Sequence, residues 1–459
     1  MEKQNQQPSR IGKWVKTSIT ARMLMVGLLT SILLIPLSFI KSLIHERMDR
    51  QEEVVNEINQ KWGNEVLLYG PILKVPYRIH HIKEIYDETT KKSKKESYAS
   101  TDYAYFFPNK LDITSTINPE EKQRGIYKTA VYKSNIDLAG SFTKPDFSEQ
   151  DIKDEDILWD KAKLIIETSN LKGVNSLVEI TFNESKYTLE SKYQEENTGY
   201  LDDIRLHKLE SKSLKETDLP IKNDVSFNLN ININGSKQIR FIPVGKETNV
   251  NIQSDWKTAN FLGEYLPQNS DKISTDGFNA KWKVLDINRP FSQESFNGLP
   301  DLKPYAFGVN FMIPVDEYQK SERSAKYGFL VIGLTFLIFF LIQTMSKINI
   351  HPFQYLMIGI ALTMFYTLLI SISEHSSYLK AYVIAGASVI VLITLYSKSI
   401  LKNIKFPLFI GLSLTILYTF IFVIIQLESY ALLVGSIGLF VILAAVMYAS
   451  RKIDWQNGE

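Results

Sequence analysis

The feature that most constrains this chain is a series of five apolar segments near its C-terminus. They are separated by short polar breaks and cover residues 327–345, 355–372, 379–396, 406–427 and 430–448. Each holds about 18 to 22 residues, and at about 1.5 Å of rise per residue a helix of that length crosses the ~30 Å hydrocarbon core of a bilayer. Because these segments lack the polar face of a soluble helix, they predict a bundle of five transmembrane helices over residues 326–450.

A sixth apolar segment follows a basic N-terminal tail of 22 residues. The tail contains five Lys or Arg residues and one acid, Glu2, and the apolar run begins at Met23. A cleaved signal peptide and an uncleaved anchor both begin this way, but no small-x-small cleavage pattern follows, which favours the anchor. We therefore predict a first transmembrane helix at residues 23–44, kinked at Pro36. Apolar residues at helical spacing continue it as a stalk over residues 45–63.

The positions of Lys and Arg predict the orientation of these helices, since basic short loops resist translocation. The basic tail 1–22 is expected in the cytoplasm, and six helices then place Lys347, Lys398 and the tail 451–459 on the same side. Residues 45–325 fall on the other side. The prediction is a multi-pass membrane protein with both termini cytoplasmic.

The long segment between the first two transmembrane helices has the pattern of β-strands. Apolar residues occupy alternate positions from Val225 to Ile233, and Gly235 ends the run. A period of two residues indicates a strand with one buried face. Similar alternation elsewhere predicts an antiparallel β-rich domain of a dozen or so strands over residues 64–325, as one unit or two. The fold class is thus an α+β membrane protein.

Composition narrows the classes of function. The net charge of +2 is too small to suggest nucleic-acid binding. The chain has no cysteine, and its six histidines form no H-E-x-x-H pattern, so the sequence predicts neither a metal site nor a thiol nucleophile. We find no phosphate-binding or nucleophile-elbow motif either, and we expect no cofactor and no catalytic residues.

Three ionisable residues lie at the predicted non-cytoplasmic ends of the bundle. Glu374 and His375 follow the second of the five segments, and Glu428 lies between the last two. Ionisable groups at membrane depth are functional candidates, because burying them in lipid is unfavourable. An acid beside a histidine can change the charge of the imidazole near neutral pH. The alternative is that all three are wetted interfacial residues without a role.

Short motifs along nearly the whole chain resemble those of the CreD family of inner-membrane proteins. They are Gly70-Pro71-Ile72, Arg124-Gly125-Ile126-Tyr127, Asp255-Trp256, Phe261 to Pro267, Gly277-Phe278 with Trp282, Asp316 to Gln319, Lys326-Tyr327, His351 to Tyr355, Ser373-Glu374-His375, Ala431 to Gly435 and Ile453-Asp454-Trp455. The resemblance implies a protein of the inner membrane of Gram-negative bacteria, linked to the CreBC two-component regulon, colicin tolerance and envelope stress. It implies no known reaction and no established catalytic residues.

Three hypotheses of function follow. In the first, a non-catalytic protein senses or supports the envelope through a periplasmic β-domain, with membrane lipids and an envelope protein or a second copy as partners. In the second, the bundle is a transporter or lipid flippase, which requires polar helix faces that the sequence provides sparsely. In the third, Glu374 and His375 are the acid and base of an intramembrane hydrolase, which lacks an evident nucleophile.

Overall fold

A computed structural model of the chain describes residues 19–87, 92–150, 152–192, 204–221, 223–296, 298–311, 317–346, 348–401, 403–427 and 430–451. The chain forms two compact units. Residues 1–52 and 315–459 make up the first, which we call the helical unit, and residues 53–314 make up the second, the β-domain.

The described part of the helical unit consists of α-helices. They are α1 (Ile19–Trp62), α2 (Glu317–Lys326), α3 (Gly328–Ser346), α4 (Pro352–Ser373), α5 (Tyr378–Ile400), α6 (Lys405–Gln426) and α7 (Ala431–Ser450). All except α2 are long and apolar enough to cross a membrane. The predicted N-terminal apolar helix and the five C-terminal ones are therefore confirmed. The last ten residues of α1 belong to the β-domain.

Helices α1, α3 and α4 pack closely where glycines remove side-chain bulk. A Cβ atom at Gly359 in α4 would lie 2.0 Å from Leu33 Cδ1 of α1, and one at Gly328 in α3 would lie 2.7 Å from Leu37 Cδ1. Small residues let helices approach in this way inside a membrane. None of the residues of α7 is buried.

The β-domain contains sixteen strands in its described part. They are β1 (Val66–Asp87), β2 (Lys92–Phe106), β3 (Lys110–Arg124), β4 (Tyr127–Phe142), β5 (Lys163–Thr168), β6 (Glu179–Phe182), β7 (Ser185–Ser191), β8 (His207–Ser211), β9 (Val225–Ser236), β10 (Gln238–Phe241), β11 (Glu247–Ser254), β12 (Ala259–Gly263), β13 (Ile273–Ser274), β14 (Gly277–Leu285), β15 (Glu294–Phe296) and β16 (Phe307–Phe311). The β-rich domain expected between the first two membrane helices is confirmed.

The strands form one continuous sheet in the order β12-β16-β10-β1-β5-β8-β7-β6-β9-β4-β3-β11-β14-β13, with β2 beside β1 and β15 beside β2. Most neighbours are antiparallel, as predicted. Two described pairs are parallel: β1 with β10, where Val66 lies opposite Ile239, and β3 with β11, where Lys110 lies opposite Glu247.

Alternation of apolar and polar residues determines which face of each strand is buried. In β9 the apolar side chains from Val225 to Ile233 are buried, and the asparagines between them face solvent to differing degrees. The buried side chains of the sheet form one hydrophobic core, which includes Tyr132, Phe182 and Phe307.

At the end of β12 the backbone conformation and the available space both require a glycine. Gly263, the last residue of β12, has φ of +98°, and a Cβ atom there would lie 2.1 Å from the carbonyl oxygen of Ala306. Two residues after Gly263, the carbonyl oxygen of Tyr265 accepts a hydrogen bond from the indole N–H of Trp282 at 3.0 Å. This explains how the Phe261 to Pro267 motif packs beside the motif around Trp282.

Candidate functional site

Glu374 is the centre of a polar cluster at one end of the bundle. It caps the C-terminus of α4, where its N–H donates to the carbonyl oxygen of Ile370 at 3.1 Å. Its carboxylate accepts a hydrogen bond from the Tyr318 hydroxyl at 3.3 Å and lies 3.6 Å from Arg47 Nε. The Glu374 side chain is 15% exposed and that of Arg47 44%. The carboxylate thus joins α1, α2 and α4.

The short helix α2 supplies Tyr318 because one of its faces is small and polar. Tyr318, Ser321, Ser324 and Ala325 are its buried residues, at the spacing of a single helix face. Since hydroxyls and a methyl replace large apolar groups on this face, α2 can lie close to neighbouring helices. It contacts α3, α4, α5 and α6.

Helix α2 also caps the start of α5. The first N–H groups of any helix have no partner within it, and Ser377, the N-cap of α5, makes no side-chain hydrogen bond to them. Instead Glu317 Oε2 of α2 accepts from the N–H of Tyr378 at 3.0 Å. A carboxylate is favoured there by the helix dipole. The Ser324 hydroxyl lies 2.5 Å from the Tyr378 hydroxyl, a second link between the two helices.

Buried tyrosines continue from this cluster into the bundle. The rings of Tyr378 and Tyr382 are 5.7 Å apart, and the Tyr382 hydroxyl donates to the carbonyl oxygen of Tyr418 at 2.8 Å. The Tyr418 hydroxyl is buried and has no hydrogen-bond partner within the described residues. A buried donor without a partner is unfavourable, so this hydroxyl is the least satisfied polar group of the tyrosine cluster.

The structure describes two of the three residues predicted to form a site. Glu374 has the contacts described above. His375 is exposed, and its ring makes no hydrogen bond or ion pair with the part of the chain that is described. Glu428 lies outside the described residues. Whether any of the three has a functional role stays a prediction.

Sequence reasoning missed the partners of Glu374. Arg47 was one charged residue among many in the stalk, and Tyr318 was placed in the β-rich segment. The Asp316 to Gln319 motif included Tyr318, but the segment around it lacks the large apolar residues that usually mark a helix face. No group of three His, Cys, Asp or Glu residues with metal-binding geometry occurs in the described ranges.

The opposite end of α4 shows that another motif is structural. His351 is the N-cap: its Nδ1 accepts from the N–H of Phe353 at 3.2 Å, and its own N–H donates to Gln354 Oε1 at 2.9 Å. Pro352 occupies the first turn, where no N–H is required. Tyr355 donates to Gln343 Oε1 of α3 at 2.8 Å, and both side chains are buried.

The end of α1 is attached to the β-domain by side-chain contacts. The turn between β3 and β4 places Arg124 Nη1 2.5 Å from Glu57 Oε2. Thr129 donates to Asn59 Oδ1 at 3.1 Å, and the Trp62 indole N–H donates to the carbonyl oxygen of Tyr132 at 3.3 Å. The predicted stalk is therefore a helix whose last turns are part of the β-domain.

These features define a class: a multi-pass membrane protein that carries a β-rich domain between its first and second membrane helices. The family model for inner membrane protein CreD matches residues 18–456. Inner membrane protein CreD of Escherichia coli K12 is 28% identical over 446 residues, which cover 96% of this chain and 93% of that protein. The chain belongs to the CreD family of inner membrane proteins.

Proposed function

We propose that this protein supports or senses the integrity of the bacterial envelope through its β-domain, without catalysing a reaction. In this proposal residues 45–325 are periplasmic and both termini are cytoplasmic. The bundle is an anchor whose partners are membrane lipids, and an envelope protein or a second copy of the chain binds the β-domain. Nucleic acid is not a partner.

The observation that carries the proposal is the attachment of α1 to the β-domain. A flexible tether would suffice if the domain only had to stay near the membrane. Instead α1 is helical without interruption from Ile19 to Trp62, and Glu57, Asn59 and Trp62 each contact the β3–β4 hairpin. A load on the domain is therefore passed to a membrane helix, as a supporting or sensing role requires.

Single cysteines test the proposed orientation, because the natural chain contains none. Exposed Asn260 in the β-domain and exposed Lys398 near the end of α5 are each changed to Cys. With a membrane-impermeant maleimide applied to whole cells, we expect N260C to be labelled and K398C to be labelled only after lysis. The reverse pattern would contradict the orientation.

Complementation of a gene deletion tests the role of the β-domain. One variant replaces residues 64–311 with a Gly/Ser linker and keeps α2, and the other combines E374Q, H375N and E428Q. We expect the first to fail to restore colicin and envelope-stress phenotypes at normal membrane levels, and the second to restore them. If only the triple variant fails, the bundle is the working part and the proposal is wrong.

A second candidate is a transporter or lipid flippase that uses the bundle, and the unsatisfied Tyr418 hydroxyl favours it. Polar groups among packed helices are expected where a polar substrate passes. The test is lipid scrambling and solute uptake in proteoliposomes, comparing the wild type with Y382F/Y418F. Transport that this variant slows would support the candidate, and no transport by the wild type would oppose it.

A further inference from the structure

Four adjacent strands of the β-domain present an unusual surface to solvent. We call it the amide face, and it comprises the outward-facing residues 228–234 of β9, 133–137 of β4, 112–118 of β3 and 249–253 of β11. β9 alone contributes asparagine at four successive outward positions. Asparagine is depleted in strands, so this repetition is not what strand formation favours.

The amides are held in place by one another. Asn135 Nδ2 donates to Asn232 Oδ1 at 2.8 Å across the β4–β9 pair, and Asn230 Nδ2 donates to Asp137 Oδ1 at 2.6 Å. Asn251 Oδ1 of β11 is a buried atom that accepts no hydrogen bond within the described residues. Asn135 and Asn230 use both of their amide hydrogens in such contacts, whereas Asn232 and Gln253 each use one. The face is therefore an ordered array of amides in which some donors and acceptors remain available to a ligand.

The amide face has almost no unbalanced charge. Among its outward-facing residues, only Asp112, Lys133 and Asp137 are charged. Asp112 is 2.9 Å from Lys110 Nζ, Lys133 is 3.8 Å from a Glu120 oxygen, and Asp137 accepts from an asparagine as described above. These four strands therefore suit an uncharged polar ligand better than a polyanion or a polycation.

One row of the amide face leads into a groove. Asn232, Asn135, Thr116, Gln253 and Asn279 lie at the same level on five adjacent strands, β9, β4, β3, β11 and β14. The last three also line an open groove of about 390 Å³ at the end of the sheet, whose lining includes three aspartates, Lys272 and the buried Phe278. The row is a continuous polar track that ends in a concave site with one aromatic residue.

We propose that the amide face binds an extended chain of uncharged sugars, laid across the strands along this row with one end in the groove. Sugar hydroxyls donate and accept hydrogen bonds, as side-chain amides do. Neighbouring strands are about 4.8 Å apart, close to the length of one ring in a linear hexose chain, so successive sugars meet successive strands.

This inference deepens the proposed function, and it relies on the β-domain facing the envelope. The probes are the neutral hexasaccharides of N-acetylglucosamine and of glucose, both β-1,4-linked, with polygalacturonate and anionic lipid vesicles as charged alternatives. The full-length protein is held in lipid nanodiscs, since maltoside detergents carry a competing sugar. Binding is measured by titration calorimetry.

Three variants separate the amide face from the rest of the domain. N135A/N232A/Q253A removes three amides of the row, and Q253E keeps the size of the side chain but replaces its donor with a charge. N260A removes an exposed asparagine of β12, at the other end of the strand order, and is the matched control. Circular dichroism compares the β-signal of each variant with that of the wild type.

We expect saturable binding of at least one neutral hexasaccharide that added salt does not weaken. Both row variants should lose at least tenfold in affinity, and N260A should bind as the wild type does. The inference is overturned if neither hexasaccharide binds, if only the charged probes bind, or if the row variants keep full affinity. Q253E decides the matter should the triple variant prove misfolded. A β-domain needed in complementation but without sugar binding would overturn this inference and leave the proposed function standing.

Discussion

The exposed surfaces of α7 and of β9 show how differently the two units meet their surroundings. On α7 the exposed residues are apolar, with Leu432 88% and Phe440 72% exposed. On β9 they are asparagines, such as Asn228 and Asn230. Exposure of large apolar groups is unfavourable in water and neutral in lipid. The same degree of exposure therefore has opposite meanings in the two units.

The interiors of the two units show the opposite contrast: the examples below are apolar in the β-domain and polar in the bundle. The β-domain buries aromatic groups such as Trp282 and Phe307, with rings 5.5 Å apart. The bundle buries polar pairs such as Tyr355 and Gln343. In water, apolar burial drives folding, whereas among lipid tails helices gain little from it and associate through close packing and hydrogen bonds. Five predictions test this contrast, in order of decreasing effect.

Substitution W282A should have the largest effect, because it empties a buried site of the β-domain. We expect it to lower the free energy of unfolding by about 3–5 kcal/mol. The matched change F440A on exposed α7 should change stability by about 0.5 kcal/mol or less. Urea unfolding followed by circular dichroism measures both. Equal effects would show that α7 is covered by protein rather than by lipid.

Substitution G263A tests backbone crowding at the end of β12. The positive φ disfavours alanine by about 1–3 kcal/mol, and the approach to the Ala306 carbonyl adds to that. G333A in α3 is the control, since a Cβ there meets no atom within 4 Å and alanine favours a helix by up to about 1 kcal/mol. The temperature of thermal unfolding should fall for G263A and should not fall for G333A.

Hydrogen bonds inside the bundle are tested by two Tyr→Phe changes. Y355F leaves Gln343 Oε1 without its donor and should lower bundle stability by about 1 kcal/mol. Y418F removes a hydroxyl that has no described partner and should not lower the stability of the bundle. The measurement is the temperature at which each variant loses its monodisperse peak in size-exclusion chromatography. A loss with Y418F would mean that its hydroxyl is satisfied in the membrane.

The pair of Arg47 and Glu374 should contribute modestly, because the arginine is nearly half exposed. A double-mutant cycle with R47A and E374Q should give a coupling of about 0–1 kcal/mol that decreases with added salt. E374Q keeps an acceptor for Tyr318 and should insert normally. A coupling well above this range would indicate a site shielded from water.

The last prediction concerns pH and the β-domain alone. Burial by itself would raise the pKa of Asp218, but the Tyr187 hydroxyl at 2.5 Å, other hydroxyl donors and Lys215 hold the pKa below its usual value. A depressed carboxyl pKa stabilises the fold above the unfolded pKa, and this is lost as pH falls through the folded pKa. Y187F should therefore reduce the acid sensitivity of unfolding as the pH falls below the ordinary pKa of an aspartate. An unchanged profile would assign acid sensitivity to other carboxylates.

The periodicity of the sequence was enough to predict the helices and strands, but not which strands pair with each other. The alternation from Val225 to Ile233 predicted β9 and its polar face, and apolar length predicted the membrane helices. That Asn135 lies opposite Asn232 depends on a register between strands about a hundred residues apart, which a single sequence does not specify. The amide face could therefore be foreseen one strand at a time, and never as an array.

Helix α2 shows a second limit. Its buried face consists of Tyr318, Ser321, Ser324 and Ala325, so a search for apolar residues at helical spacing finds nothing there. The same applies to the partners of Glu374: the sequence singled out the acid by its position beside an apolar segment, whereas Arg47 is 327 positions away along the chain and only folding brings it near.

The parallel pairing of β1 with β10 has a consequence for biosynthesis. Residues 66–68 of β1 have no neighbour on one edge until Gln238–Phe241 has been made, about 170 residues later. At roughly 5–20 residues per second that interval is about 10 to 35 s. During it the nascent domain carries an open apolar edge, the kind of surface that recruits other strands. A chaperone that covers this edge would protect the domain most during this interval.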